Sequence, residues 1–190
     1  MRQVNLVNHI DEVIGQTDLL DAHRGDGKKH QAVSLFLFHQ RVDGKFDLLL
    51  QQRSSQKILG KRQWANTLCA NLSPGEKHET CLRKRFREEL GASWQDDLSL
   101  TEVAVINYQV ACEHNYAENE IDHIFVTVLN DQEFTQLKLV PTSAEVADLA
   151  WLDWEAVKNK ELGQRVTAPW FNLFLENQSL IKKIDKVLKV

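Results

Sequence analysis

Residues 64–91 read WANTLCANLSPGEKHETCLRKRFREELG, and this stretch decides the fold. Its first part, 64–72, is mostly apolar and predicts a short buried strand. The Ser-Pro-Gly-Glu turn that follows carries an acid where a helix begins, so we expect a helix from Glu76 to Leu90. Gly91 is suited to end that helix in the left-handed conformation. Apolar residues at i, i+4 and i+8 give the helix one buried face, formed by Leu82, Phe86 and Leu90.

Further strand patterns lie on both sides of this segment. We predict strands at 3–8, 32–38, 45–51, 100–110 and 120–129. The pair Asp43-Gly44 separates two of these apolar runs and predicts a β-hairpin. Residues 18–30 carry two glycines and many polar groups, so we expect a loop there.

The last part of the chain changes its pattern. A strand and a short helix are predicted near 148–157, and an amphipathic helix is predicted over 169–189. The resulting order is β, β-hairpin, β, α, β, β, β, α, which describes a mixed α+β fold rather than alternating βαβ units. No repeat, low-complexity tract or linker interrupts the sequence, so we expect one domain over 1–190.

Composition excludes several classes of protein. The chain has 190 residues, of which 43% are hydrophobic and 26% charged, and this is typical of a globular protein. It has no apolar run long enough to span a membrane, and we do not expect its first fifteen residues to act as a signal peptide. Three cysteines are too few for a disulfide framework, so we expect a cytoplasmic protein. A net charge of −4 argues against nucleic-acid binding.

Positive charge is nevertheless concentrated in two short segments. They contain Arg53, Lys57, Lys61 and Arg62, and then Arg83, Lys84, Arg85 and Arg87. Two basic clusters on an acidic chain suit a small anionic ligand better than a polymer. A charge run is more often a solvated face, and taken alone these clusters favour that interpretation.

Histidines and glutamates form a second pattern. His23 and His30 flank a glycine-containing loop, and imidazole is a common ligand of transition metals. Glu118 and Glu120 are two apart, so an extended strand places both carboxylates on one face. Each pair alone is typical of ordinary surface residues. Together they indicate a His/Glu site for a divalent metal, since adjacent carboxylates repel unless a cation or proton separates them.

Glu89 and Arg85 lie one turn apart on the predicted helix. The simple interpretation is an i, i+4 salt bridge. The alternative is a carboxylate that holds a divalent ion beside an arginine that holds the phosphates bridged by that ion.

Cys69 lies in the apolar segment, where a free thiol is usually only a small buried hydrophobe. Cys81 is interpreted as packing, and Cys112 lies in a polar loop. The remaining histidines of interest, His39, His78 and His123, are interpreted as surface or core residues. Trp94, Trp151 and Trp154 are expected in the core rather than in a site.

Taken together, these motifs resemble type I isopentenyl-diphosphate isomerases, which have a Nudix-like fold. The resemblance rests on WANTLCANLSPGE, on the His23-x6-His30 spacing and on Glu-Asn-Glu at 118–120, and it extends from about Val4 to Phe171. One motif alone is weak, but several in the right order are specific. The resemblance implies an α+β fold with a Nudix-like mixed β-sheet sandwich flanked by helices.

The resemblance also implies a role for each candidate residue. Cys69 and Glu120 match the catalytic pair, Tyr108 the tyrosine that hydrogen-bonds the catalytic glutamate, and Trp170 the aromatic that faces a cationic intermediate. The metal ligands implied are His23, His30, Glu118, Glu120 and Asn71, with Glu89 holding a Mg²⁺ bound to the substrate. The implied diphosphate-binding residues are Arg53, Lys57 and Arg85.

The implied substrate is a small isoprenoid diphosphate, and the implied reaction moves its double bond. Moving the bond requires a proton to be added at one carbon and removed at another, which an acid and a base on opposite sides can do. A carbocation between the two steps would be stabilised by an aromatic face. The cofactors implied are Mg²⁺ on the substrate and a second divalent metal, Zn²⁺, Mn²⁺ or Mg²⁺, at the His/Glu site.

Two positions depart from the family pattern. Asn71 stands where the family has a histidine ligand, and an amide oxygen is a poorer ligand for zinc but acceptable for Mg²⁺ or Mn²⁺. His114 is a conceivable replacement. Leu19 stands where the family usually has a lysine that contacts the diphosphate.

Two competing functions follow from these departures. A Nudix hydrolase of a diphosphate compound would need the first glutamate of the Nudix box, which is Arg85 here, while the opening glycine is Ala70. Losing a carboxylate leaves less charge to hold the ions that activate water, which argues against hydrolysis. A non-catalytic diphosphate-binding relative would explain Asn71 and Leu19, but both Cys69 and Glu120 remain.

Overall fold

The computed structural model describes residues 2–92 and 98–189. Trp94 lies outside these described residues. The strands are β1 Gln3–Val7, β2 Val13–Asp18, β3 His30–Gln40, β4 Phe46–Arg53, β5 Trp64–Ala65, β6 Leu68–Asn71, β7 Thr101–Ala111, β8 Ala117–Leu129 and β9 Val146–Asp153. The helices are α1 Leu19–His23, α2 His78–Leu90, α3 Asp131–Gln136, α4 Trp154–Lys158, α5 Pro169–Glu176 and α6 Gln178–Leu188.

Strand β3 organises a mixed sheet because it pairs with four other strands. It runs parallel to β8 and antiparallel to β1, β4 and β6. The remaining strands extend the sheet at its edges, with β7 on β8, β9 and β5 on β4, and β2 on β1. A sheet that mixes both orientations confirms the α+β class and excludes a simple βαβ repeat.

The two faces of β3 bury two different cores. Phe36 and Phe38 pack with helices α5 and α6, whereas Leu35 and Leu37 pack with α2. This division follows from the twofold alternation of side chains along a strand. Helices therefore cover the sheet on both faces. Trp154 is buried in the first core, as expected, and Trp151 packs against the second. No helix within the described residues is long and apolar enough to cross a membrane.

The predicted hairpin and helix end are confirmed. Strands β3 and β4 pair antiparallel around a turn in which Gly44 has φ 81° and its N–H donates to the carbonyl of Arg41 at 2.9 Å. Helix α2 begins at His78, close to the predicted start, and Gly91 ends it with φ 67°. A Cβ at Gly91 would lie 2.1 Å from the Val140 carbonyl oxygen, so glycine is required there.

The single strand predicted over 64–72 is wrong, since β5 and β6 are separated by Asn66 and Thr67. Asn66 Nδ2 donates to the carbonyl of Leu68 at 2.9 Å. Thr67 Oγ1 donates to the Leu49 carbonyl at 2.7 Å and accepts from the Leu37 N–H at 2.9 Å. These side chains bond to backbone groups that a continuous ladder would otherwise use, so the strand is interrupted.

The loop predicted over 18–30 is also wrong, because α1 occupies Leu19–His23. Asp18 caps this helix by accepting from the Leu20 N–H at 3.0 Å. Strand β2 and helix α3 were not predicted, and the strand predicted at 120–129 already begins at Ala117.

The helix predicted over 169–189 is two helices. Asn177 ends α5, and its side chain accepts from the Leu180 N–H at 3.0 Å to cap α6. An asparagine offers the backbone this alternative to helical bonding, which explains the break.

Candidate active site

A cavity of about 420 Å³ is walled by residues of α1, β6, β7, β8 and α5 and of the segment after β4. It gathers most of the predicted site residues: His23, Arg53, Lys57, Cys69, Asn71, Arg85, Tyr108, Glu118, Glu120 and Trp170. The other two predicted residues are buried against its wall. His30 contacts Glu120, and Glu89 contacts Arg85. Groups that are far apart in the sequence therefore face one space.

Strand β3 separates the two predicted proton-transfer residues. Cys69 on β6 lies opposite Ser34 of β3, and Glu120 on β8 lies opposite His30 of β3. Neighbouring strands are about 4.8 Å apart, so the backbones carrying the thiol and the carboxylate are at least about 10 Å apart. Both side chains nevertheless line the same cavity.

Four buried side chains converge in the way that ligands of one metal ion do. The ligand atoms of His23, His30, Glu118 and Glu120 lie within 4.8 Å of one another. His23 Nε2 is 2.9 Å from Glu118 Oε2, and His30 Nε2 is 3.2 Å from Glu120 Oε1. Within the described part of the chain, His30 Nε2 and Glu118 Oε2 nevertheless make no hydrogen bond of normal geometry. Nitrogen and oxygen atoms that lie this close without forming a hydrogen bond are arranged as ligands of one shared cation would be.

The backbone sets the tautomer of both histidines. The Nδ1 atom of His23 is 2.7 Å from the carbonyl of Leu19, and the Nδ1 atom of His30 is 2.7 Å from the carbonyl of Lys28. A carbonyl only accepts, so each Nδ1 carries the proton of the neutral ring and each Nε2 presents its lone pair to the cluster. This is the form of imidazole that binds a metal.

The charge balance of the cluster also fits a cation. Burial lowers the pKa of His23, but its contacts with Glu118, the Leu19 carbonyl and the charge of Glu120 outweigh burial and raise that pKa to about 9. Two buried carboxylates this close together repel each other, and positive charge between them relieves that repulsion. A divalent ion held by these residues would supply it and would displace the proton from His23.

Both oxygens of Glu120 are engaged. Oε1 accepts from Asn71 Nδ2 at 2.6 Å, and Oε2 accepts from the hydroxyl of Tyr108. Burial raises the pKa of Glu120, but the closeness of His30, the hydrogen bond from Tyr108 and the influence of His23 outweigh burial and lower it. Burial and the charge of Glu120 raise the pKa of Tyr108 well above its usual value. A neutral tyrosine therefore donates to a carboxylate.

Cys69 lies in a polar pocket within its apolar strand. Its thiol donates to Asn66 Oδ1 at 3.0 Å, and the hydroxyl of Ser34 lies 3.3 Å from Sγ. Ser34 in turn donates to Asp122 Oδ2 at 2.7 Å. Burial first, and then the nearby Asp122 carboxyl, raises the pKa of Cys69 to about 12. The thiol therefore keeps its proton at neutral pH.

Trp170 forms an apolar wall and also supports a cation. The guanidinium of Arg53 lies 5.0 Å from the centre of the indole ring, and Arg53 Nε donates to the Leu59 carbonyl at 3.0 Å. A Cβ at Gly60 would lie 2.9 Å from the Trp170 ring and 3.2 Å from Arg53 Cδ. Because Gly60 also has φ +60°, only glycine lets this stack form at the cavity wall.

Acidic side chains hold two further cavity cations, Arg85 and Lys57. Arg85 donates to Glu89 Oε1 through Nε at 3.1 Å and Nη2 at 2.6 Å, and it pairs with Glu88 at 2.7 Å. The i, i+4 salt bridge is therefore present. Glu145 lies 3.2 Å from Arg85 and 2.5 Å from Lys57 Nζ. An anion entering the cavity would compete with Glu145 for both cations.

Comparison with known proteins identifies the family. Residues 28–172 match the NUDIX domain family. An isopentenyl-diphosphate Delta-isomerase of Nocardia farcinica is 34% identical over 175 residues, which is 91% of this chain and 92% of that protein. Another, from Saccharopolyspora erythraea, is 32% identical over 90% of this chain and 82% of its own length. The chain belongs to the Nudix isopentenyl-diphosphate Delta-isomerase family. The resemblance inferred from the motifs is thus confirmed.

Solved structures show the same fold for this Delta-isomerase family member. DR0079 from Deinococcus radiodurans has a TM-score of 0.67 at 20% identity, covering 92% of this chain and 97% of that one. The Nudix hydrolase RenU from M. smegmatis has a TM-score of 0.60 at 16% identity, covering 94% and 93%. At this identity the likeness establishes the Nudix fold and nothing about chemistry.

The structure shows what surrounds the two positions that depart from the Delta-isomerase pattern. Asn71 turns its amide nitrogen, not its oxygen, toward Glu120, so it serves as a hydrogen-bond donor here. Leu19 lines the cavity and its N–H donates to the carbonyl of Arg2 at 2.8 Å. Arg2 also lines the cavity, where Nη2 donates to the Asn71 carbonyl at 2.6 Å. A cation thus lies beside the position where the family usually has a lysine.

Sequence reasoning missed several residues of this Delta-isomerase site. Asp122 follows Glu120 by two residues in the same strand, so the alternation that paired the two glutamates would also have found it. Burial and the charge of Glu120 raise the pKa of Asp122 well above its usual value. No sequence pattern pointed to Ser34, Arg2 or Glu145 as site residues. His114 is exposed in a turn and is not part of the four-residue cluster.

Proposed function

We propose that this protein converts isopentenyl diphosphate to dimethylallyl diphosphate by protonation and deprotonation. The observation that carries the proposal is that Cys69 and Glu120 approach one cavity from opposite edges of β3. A proton must be added at one end of the allylic unit and removed at the other, which requires two groups on opposite sides of the substrate. Family membership supports the same reaction.

The substrate gains one proton from one of these groups and loses one proton to the other. One group delivers a proton to the terminal alkene carbon, which produces a tertiary carbocation. The other removes a proton from the carbon next to the diphosphate-bearing carbon, and the new double bond forms there. The neutral thiol of Cys69 would give up the first proton, and the carboxylate of Glu120, supported by Tyr108, would accept the second. Exchange of protons with water would then return both groups to their starting states. Because the product differs only in its double bond, their roles exchange in the reverse reaction.

Trp170 stabilises the carbocation. Its ring is buried and lines the cavity, so the intermediate would face an aromatic surface from which water is excluded. The attraction between a cation and an indole ring contributes about 2 kcal/mol when both are desolvated. A dry wall also prevents water from capturing the cation.

The diphosphate is anchored at the basic end of the cavity. Arg53, Lys57 and Arg85 line that end, and Arg2 supplies a further cation beside Leu19. Diphosphate oxygens would replace Glu145 as the partner of Lys57 and Arg85. Glu89, released from Arg85 in that exchange, would hold a substrate-bound Mg²⁺, an ion that prefers carboxylate and phosphate oxygens.

The His/Glu cluster would hold the second divalent ion. His23, His30, Glu118 and Glu120 are the residues that fit it, and Zn²⁺, Mn²⁺ and Mg²⁺ are the candidates. When bound, the ion supplies positive charge that fixes the carboxylate of Glu120 and tunes its basicity. The protein contributes the orientation, through the two backbone carbonyls and the hydroxyl of Tyr108.

Incubation of the purified protein with isopentenyl diphosphate and Mg²⁺ tests this function. We expect dimethylallyl diphosphate to accumulate without release of phosphate or pyrophosphate. Absence of turnover with Mg²⁺, Mn²⁺ and Zn²⁺ would contradict the proposal and favour a non-catalytic diphosphate-binding protein. Phosphate or pyrophosphate release from nucleoside diphosphate compounds, without isomerisation, would favour a Nudix hydrolase.

Asn71 offers a test of the metal cluster. Asn71→His should increase the zinc retained per chain after dialysis, because an imidazole nitrogen is a better zinc ligand than an amide. The measurement is metal content by mass spectrometry. Asn107→His, which adds a histidine at an exposed position of β7, should leave the content at the wild-type value. Equal zinc in the Asn71→His and wild-type proteins would mean that position 71 does not face the ion.

A further inference from the structure

A second group of potential ligands lies on the opposite side of β8 from the candidate active site. Side chains alternate along a strand, so His123 points away from the face that carries Glu118 and Glu120. There it meets Asp11, from the turn between β1 and β2, and His78, the first residue of α2. Three separate parts of the fold thus contribute one side chain each.

The geometry is that of a small coordination site. The ligand atoms of Asp11, His78 and His123 lie within 4.8 Å of one another. His123 Nε2 is 2.9 Å from Asp11 Oδ2. The rings of His78 and His123 are stacked, with centres 3.9 Å apart and planes inclined by 22°. All three side chains are half-buried, so they are held in place yet accessible to an ion from solvent.

His78 supplies an independent sign of a missing partner. Its Nε2 atom is buried and has no hydrogen-bond partner within the described residues. Buried polar atoms are nearly always paired, so such an atom calls for an ion or a water molecule.

Outer contacts orient the ligands in the way that metal sites require. Glu102 Oε1 lies 2.9 Å from His123 Nδ1, which directs the other ring nitrogen, Nε2, toward Asp11. Gln31 Nε2 donates to Asp11 Oδ1 at 3.0 Å, which leaves Oδ2 for an ion. A carboxylate behind a ligating histidine is the usual arrangement in zinc sites. Ion pairs of His123 with Asp11 and Glu102 would leave the unpaired nitrogen of His78 unexplained.

We propose that Asp11, His78 and His123 form a second site for a divalent transition metal, with zinc as the best candidate. Two imidazoles and one carboxylate are a donor set that zinc accepts, with water at the fourth position. A cavity of about 650 Å³, lined in part by Gln31, His78 and Glu102, lies beside this group of side chains. The site is independent of the isomerase proposal.

An ion bound there would connect three parts of the fold. It would tie the β1–β2 turn and the start of α2 to β8 of the central sheet. Helix α2 carries Arg85 and Glu89 at its other end, so the ion would fix the helix that positions part of the candidate active site. The role that follows is structural.

Zinc titration of the chelator-stripped full-length protein tests the proposal. We expect the His78→Ala protein to bind one zinc ion fewer per chain than wild type by isothermal titration calorimetry. Glu102→Gln should weaken binding at this site by about 10–100-fold without removing a ligand. His9→Ala is the matched control, because His9 is exposed in the same turn as Asp11, and its zinc binding should equal wild type.

His78→Ala and Glu102→Gln together test whether the zinc ion binds at this site. His78 is half-exposed at a helix start, so its replacement should preserve the far-ultraviolet circular dichroism spectrum. Zinc should also raise the melting temperature of the Glu102→Gln protein less than that of wild type. Unchanged zinc stoichiometry and affinity in both His78→Ala and Glu102→Gln would overturn the proposal.

Discussion

Replacement of Cys69 by alanine is expected to lower kcat for isomerisation by about 10²–10⁴-fold, the range attributed to a positioned acid or base. The thiol is the one proton-carrying group at its edge of the cavity in our mechanism, and alanine cannot replace it. Binding of inorganic diphosphate should change little, because the cations that line the other end, Arg53, Lys57 and Arg85, are untouched. Initial rates and a diphosphate titration measure the two effects.

The chain offers its own control for this experiment. Cys112 is a half-buried thiol whose pKa is also raised to about 12, chiefly by burial, but it does not line the cavity. Cys112→Ala should therefore retain wild-type kcat. If Cys69→Ala kept most of its activity, the role assigned to the thiol would be wrong, whatever the overall reaction proves to be.

Glu120→Gln is expected to show a loss of similar size, about 10²–10⁴-fold in kcat. The amide cannot exchange a proton with the substrate, and it also removes a negative charge from the cluster with His23, His30 and Glu118. The variant should therefore bind its divalent ion more weakly as well. Measuring kcat over a range of metal concentrations separates these two effects.

One outcome of this experiment would contradict a role for Glu120 in proton transfer. If saturating metal restored wild-type kcat to Glu120→Gln, Glu120 would be a metal ligand without a role in proton transfer. Glu176→Gln serves as the control, because Glu176 is an exposed carboxylate paired with Lys160. Its metal binding and kcat should match those of wild type.

Local sequence patterns were sufficient to predict the fold class, the hairpin at Asp43-Gly44 and the end of α2 at Gly91. These features depend on local chemistry: alternation of apolar residues, an Asp-Gly turn and a glycine where the backbone must be left-handed. Local propensity failed where a polar side chain bonds to the backbone. Asn66 and Thr67 interrupt a predicted strand, and Asn177 divides a predicted helix.

The candidate site shows the same division. The order and spacing of the motifs were sufficient to pick out the thiol, the glutamates and the histidines as candidate site residues. That order and spacing are shared by proteins of one fold. The acid that holds Lys57 and Arg85 had no such signal, since Glu145 reaches them only through the packing of a distant loop.

By itself, the sequence determined which chemical groups this protein has and the order of most of its strands and helices. Only the tertiary structure decided which groups meet. It placed Cys69 and Glu120 at opposite edges of β3, and it paired His78 with His123 on the other side of the sheet. The physical reason is that local patterns set backbone conformation, whereas long-range packing and strand register set distances between side chains.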